Sequence, residues 1–252
     1  FSVRAFQREA TSALERITTR SHHALLVGGT GLYLRAVTDG LQFPGRFPDV
    51  AARLADELES AGPPGSESRR QGVAGLHRRL GLLDARAAGR MEPTNERRVL
   101  RALEVSIGAG RPFSSFGPGL ERYPATAVAF VGIRPDIGAL DRCIRERLER
   151  QMDSGFLEEV RSLAARPRGL SATARQALGY RELLTHVEED VPLREALAEA
   201  QRRTRAFARR QWAWFRRDPR IEWVDSVDVA VVRVVDHLTA DGRPRVGDCR
   251  GR

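Results

Sequence analysis

The sequence predicts an α/β chain in two parts, a parallel-sheet core over residues 1–41 and 125–240 and a helical insertion over 42–124. Three observations predict it. The apolar runs at 24–27 and 127–133 have the length and composition of buried strands. Each is followed by a helical period, which makes the strand–loop–helix units of parallel sheets. Between them the chain turns to charged helices, interrupted by Gly62-Pro63-Pro64-Gly65-Ser66 and by the stretch from Gly108 to Gly119. At 252 residues there is chain enough for a full core.

Taken in order, Val3, Phe6, Ala10, Leu14 and Ile17 recur at helical spacing behind Ser2, an N-cap residue, and predict a helix over 3–19. A strand follows from Ala24 to Val27. The pair Gly28-Gly29 ends it, and a helical pattern resumes from Leu32 to Gly40. Such a loop lies at the carboxyl edge of a parallel sheet, where ligands bind. After the insertion, Ala127 to Ile133 reads as a fully buried strand that Pro135 ends. Helices are predicted at 136–153, 155–166, 171–188 and 193–217, then a strand Ile221 to Val224 and a last helix over 228–239. The Arg/Gly/Pro-rich tail 241–252 is expected to be disordered. The chain opens directly into an amphipathic pattern at Phe1, so it is expected to be a fragment of a longer protein.

Hydrophobic residues at 41% and charged residues at 30% exclude a wholly disordered chain. The net charge is +9, and all 42 basic residues are arginine. Compositional bias explains the missing lysine, but the charge still favours a polyanionic partner. Cys143 and Cys249 stand far apart without metal-ligand spacing, which predicts a reducing compartment and no zinc site. No apolar run reaches the roughly 18 residues of a membrane span. The expected location is the cytoplasm, with no membrane partner.

Four segments could carry chemistry. In Gly28-Gly29-Thr30-Gly31 the glycines allow a ligand close to the backbone, and the Thr30 hydroxyl can accept or donate a hydrogen bond; two glycines after a strand are also an ordinary tight turn. Along 193–217, Leu193, Leu197, Ala200, Thr204, Phe207, Gln211 and Trp214 share one face, while Arg202, Arg205, Arg209 and Arg216 line the other. That second face is either a solvated charge stripe or a phosphate-tracking one, with Trp212 and Trp214 as stacking surfaces; on the apolar face Trp214 fits a core role better. Asn95 to Val105 sets Arg97, Arg98 and Arg101 on neighbouring helical positions. Gln176-Ala177-Leu178-Gly179-Tyr180-Arg181 joins an amide, a glycine and an aromatic–cation pair, although the glycine equally suits close helix packing.

Together, residues 25–36, 96–105, 176–183 and 204–225 closely resemble, in order and spacing, the bacterial tRNA dimethylallyltransferases. The resemblance implies a P-loop-NTPase-like parallel sheet carrying a helical insertion. It also implies transfer of a dimethylallyl group from dimethylallyl diphosphate to N6 of the adenosine 3′ of the anticodon, in tRNAs reading codons that begin with U. Residue by residue, Thr30 falls on the threonine of the family's Gly-Gly-Thr and contacts the target nucleotide, with Gly28 and Gly29 as the substrate loop. Arg147 falls on an arginine position that binds the diphosphate, a charge its guanidinium fork matches. Arg97, Arg98, Arg101, Gln176, Gly179, Tyr180, Arg181, Arg205, Arg209, Arg210, Gln211, Trp212 and Arg216 fall in segments that contact tRNA. Gln176 stands where some members have arginine, and Cys143 where arginine is common.

The family's Gly-x-x-x-x-Gly-Lys-Ser/Thr loop and the aspartate that serves as general base are expected to precede Phe1. The expected cofactor is Mg²⁺, with no ligands in this chain, and the expected partner is the anticodon stem-loop, bound by a monomer. Two rivals stay open: a catalytically inactive tRNA-binding fragment, and an enzyme that prenylates free adenine nucleotides.

Overall fold

The computed structural model describes residues 2–20, 23–117 and 119–240. The expected disordered tail, 241–252, lies outside the described residues. The chain divides after Arg16, Leu34 and Thr126 into two compact units, one holding the segment up to Arg16 and residues 35–126, the other holding residues 17–34 and the chain from Ala127 onward.

The first unit is helical. Helix α1, Val3–Thr19, starts where predicted, and the Ser2 hydroxyl accepts from Ala5 N at 3.2 Å. The second helix, α2, spans Gly31–Thr38, and its last turn belongs to this unit. Next come α3 (Pro48–Ala61), α4 (Glu67–Leu83), the single turn α5 (Ala85–Ala88) and α6 (Glu96–Gly108). Pro48 at the first turn of α3 and side-chain caps from Ser66, Asp84 and Asn95 fix the starts of these helices. Their apolar faces meet in one cluster that includes Leu54, Leu58, Val73, Leu76, Leu80, Val99 and Leu103. Each fully buried leucine of this kind contributes roughly 1.5–3 kcal/mol of transfer free energy.

The second unit contains the sheet. Strands β1 (Phe130–Ile133) and β2 (Ile221–Val224) pair in parallel, with Phe130 opposite Ile221 and Ile133 opposite Val224. Parallel pairing requires a crossover, here built from α7 (Ile137–Asp153), α8 (Phe156–Ala164), α9 (Tyr180–Glu189) and α10 (Leu193–Phe215). Phe156, Leu157, Val160, Leu183 and Leu184 form its core, and α11 (Val227–Ala240) closes against both strands. No described helix is long and apolar enough to cross a membrane.

Three expectations change. Residues 24–27 are not assigned as a strand, and Leu25 and Val27 are 65% and 81% exposed. An apolar run becomes a strand only where a neighbour accepts its hydrogen bonds, and among the described residues β1 and β2 pair only with each other. Strand β1 begins three residues late and is half-buried rather than fully buried, with Ile133 exposed. The helix predicted at 171–188 is a 3₁₀ turn, Ala174–Gln176, followed by α9. Gly179 separates them at φ +89°, a left-handed conformation that no helix interior contains.

Candidate functional site

The loop expected to face a ligand runs from Gly28 to Gly31 into the first turn of α2, where the Thr30 carbonyl accepts from Tyr33 N at 2.9 Å and Leu34 N at 3.1 Å. Thr30 itself is exposed. The glycines differ in what they require. A Cβ on Gly28 would meet only Leu34, at an ordinary 3.6 Å. One on Gly29 would lie 2.1 Å from Gln211 Nε2, and one on Gly31 would lie 1.8 Å from Trp214 Nε1, inside the indole. The C-terminal turns of α10 therefore close directly onto the loop. Gln211 Nε2 donates to the Gly29 carbonyl at 2.9 Å across 182 residues of sequence.

Around this contact the structure sorts the expected RNA-facing residues into tethered and exposed groups. Arg205 Nε is held by Asp141 of α7 at 2.9 Å, whereas Arg209, Arg210 and Arg216 are exposed. Trp212 carries the Arg134 guanidinium over its ring at 4.0 Å and meets Trp223 of β2 edge-on at 4.6 Å. Trp214 is half-buried against Gly31 rather than fully buried. Arg147 is exposed on α7.

The segment 176–181 is built onto α9. Gly179 is buried, its N–H donates to Glu182 Oε2 at 2.8 Å, and Glu182 Oε1 faces Arg203 Nε of α10 at 3.1 Å. The Tyr180 hydroxyl donates to Glu159 at 2.7 Å, and that bond, with burial, raises its pKa above the usual phenol value. Gln176 and Arg181 are both exposed and bond to each other at 3.3 Å.

In the helical unit, Arg97 and Arg98 are exposed on α6. Arg101 is tied inward: Nη2 donates to the carbonyls of Pro44 and Gly45 at 3.0 and 2.9 Å, and Nη1 pairs with Glu104 at 2.7 Å. A depression of about 240 Å³ lies among Ala51, Leu54, Arg97, Leu100, Arg101 and Glu104. Among the described residues no three His, Cys, Asp or Glu side chains group to hold a metal ion.

Sequence reasoning missed Arg35, Glu182 and Arg203. Arg35, 4% exposed, pairs with Asp39 at 2.6 Å and donates to the carbonyls of Leu120 and Arg122, with Tyr123 stacked at 4.5 Å. Its signal is an arginine on the inward side of a short apolar helix. Glu182 and Arg203 gave no such signal, since each reads as one more charge on a charged helix.

A parallel sheet with its crossover helices, a glycine-pair loop under an arginine-bearing helix and a separate helical unit define an α/β protein of the class expected. Residues 1–218 match the family described as IPP transferase, and the chain belongs to that family. It is 42% identical over 231 residues to a tRNA dimethylallyltransferase of Salinispora arenicola, covering 92% of this chain and 64% of that protein. To the tRNA dimethylallyltransferase of Streptomyces coelicolor it is 40% identical over 226 residues, covering 89% and 68%. The chain thus spans about two thirds of the length of these relatives.

Among solved structures it resembles the full-length tRNA isopentenylpyrophosphate transferase of Bacillus halodurans, at 29% identity and a TM-score of 0.59, covering 95% of this chain and 73% of the other. A eukaryotic dimethylallyltransferase acting on tRNA shares the fold at a TM-score of 0.68 and 19% identity, covering 95% and 63%. The α/β class with a parallel sheet, read from the sequence, stands.

Proposed function

We propose that this chain acts as a tRNA dimethylallyltransferase, moving a dimethylallyl group from dimethylallyl diphosphate to N6 of the adenosine 3′ of the anticodon in tRNAs that read codons beginning with U. The observation that carries the reading is 42% identity to a protein of that name across 92% of the chain. The geometry supports it. Thr30 is exposed on a loop whose backbone is held from behind, and exposed arginines lie on the helix that holds it.

In the reaction, the N6 lone pair attacks the allylic carbon while the carbon–oxygen bond to diphosphate breaks. The electron pair leaves on diphosphate, and N6 loses a proton to a base. The target adenine must first leave the anticodon stack. Thr30 orients the amine through its hydroxyl, and Arg147 offsets charge on the leaving diphosphate. Gly28 and Gly29 let the nucleotide approach the backbone. Arg97, Arg98, Gln176, Arg181, Arg209, Arg210 and Arg216 follow the RNA.

The test incubates the 252-residue chain with dimethylallyl diphosphate, Mg²⁺ and either an anticodon stem-loop or AMP, and measures isopentenylated adenosine by mass spectrometry. Stem-loop binding is expected, with any product on the stem-loop and none on AMP. Binding of the stem-loop without product would make the chain an RNA-binding fragment, and product on AMP alone would make it an enzyme of free nucleotides. An Arg147→Ala variant with unchanged turnover would remove that arginine from the reaction.

A further inference from the structure

The resemblance groups Gln211 with the residues that touch tRNA, but its side chain has an internal partner. It is the one amide on a stripe that otherwise runs Leu193, Leu197, Ala200, Thr204, Phe207 and Trp214, and a polar group on such a stripe needs a hydrogen-bond partner inside the fold. That partner is the carbonyl of Gly29, 2.9 Å away. The segment leading to Gly29 has no strand neighbour among the described residues. The contact from α10 therefore holds a loop that neither described strand pairs with. One turn further on, the Trp214 indole forms a rigid wall against Gly31, too close for any side chain there.

We infer that Gln211 and Trp214 are positioning residues, a clamp from the end of α10 that fixes Gly29 to Gly31 and so sets where the Thr30 hydroxyl points. Gln211 acts on the loop carbonyl and Trp214 on the loop's shape. The two bracket Thr30, one contact on each neighbouring residue. The kinetic part of this inference rests on the function proposed above; the structural part does not.

Gln211→Met keeps the length of the side chain and removes the donor, and Arg209→Ala removes an exposed charge from the same helix. Amide exchange on the full chain reads the loop, through the Tyr33 and Leu34 amides that bond to Thr30. Stem-loop binding and the split between kcat and KM read the site. Gln211→Met is expected to speed exchange at Tyr33 and Leu34 up to about tenfold, since it removes one hydrogen bond. It should lower kcat about ten- to a hundredfold through misplacement of Thr30 and leave stem-loop affinity within about twofold. Arg209→Ala should leave exchange at Tyr33 and Leu34 as it is and weaken stem-loop affinity.

Gly29→Ala displaces the amide sterically and should reproduce the exchange effect, and combining it with Gln211→Met should add little, because both break one contact. Unchanged exchange in Gln211→Met would overturn the clamp. So would a loss of stem-loop affinity equal to that of Arg209→Ala, or full additivity in the double variant. If the unaltered chain makes no product, the proposed function fails, and exchange with the double-variant comparison still decides the clamp.

Discussion

Asp84 shows how one side chain can join three pieces of backbone. It caps α5 by accepting from Ala87 N at 2.9 Å, and it takes both the N–H and the hydroxyl of Ser114, at 2.6 and 2.8 Å. Burial alone would push its carboxyl up. The Ser114 and Ala87 donors outweigh that and hold it below its ordinary value near 3.8. A carboxyl with a depressed folded pKa binds fewer protons folded than unfolded. Its contribution is therefore complete above the unfolded value and is lost as pH falls through the folded one. Urea midpoints measured from pH 6 down to pH 3 should fall, beginning as pH nears 4. Asp84→Asn should cost about 1–3 kcal/mol at neutral pH and flatten part of that decline. Glu96, held low by its bond to Arg69, contributes in the same direction, more weakly because the pair is partly solvated.

At the scale of elements, Gly179 decides where α9 begins. Its φ of +89° disfavours any L side chain, and an added Cβ would also sit 2.9 Å from the Phe156 ring, which itself packs edge-on against Tyr180 at 5.0 Å. Gly179→Ala should destabilise the chain by about 1–3 kcal/mol, read as a lower thermal midpoint, while Gly28→Ala, whose Cβ meets only Leu34, should be close to neutral in stability. The same residue shows what the sequence could and could not tell. Periodicity located α1, α7, α10 and both ends of β2, because apolar spacing reports burial directly. It ran through Gly179, because hydrophobic spacing continues across a break that only φ reveals. It also made 24–27 a strand, because spacing does not name the partner a strand needs. In the candidate site, the loop was legible from its glycines and α10 from its stripe. Their contact was not, although a glutamine on an apolar face was a sign that some buried acceptor would meet it.

For the whole molecule the question is which arginines remain available to an RNA. A net charge of +9 gives the sign of the partner but overstates the contact. Of the four arginines that stripe α10 and its C-cap, exposed Arg202 pairs with Glu199 and half-buried Arg205 with Asp141, while Arg209 and Arg216 are exposed and in no ion pair among the described residues. An arginine already paired with a carboxylate releases fewer counterions when RNA binds, because that partner has to be given up first. The unpaired ones should therefore dominate the salt dependence, where each phosphate contact contributes a slope of about −0.7 to −0.9 in log affinity against log salt. Stem-loop binding measured between about 50 and 300 mM salt should lose about one such unit of slope in Arg209→Ala and in Arg216→Ala. Arg205→Ala should change the slope much less and instead weaken the tie between α10 and α7, lowering the unfolding midpoint. Equal slope changes for Arg205 and Arg209 would mean that the Asp141 pair opens when RNA binds, and the stripe would then act as a unit of four rather than two.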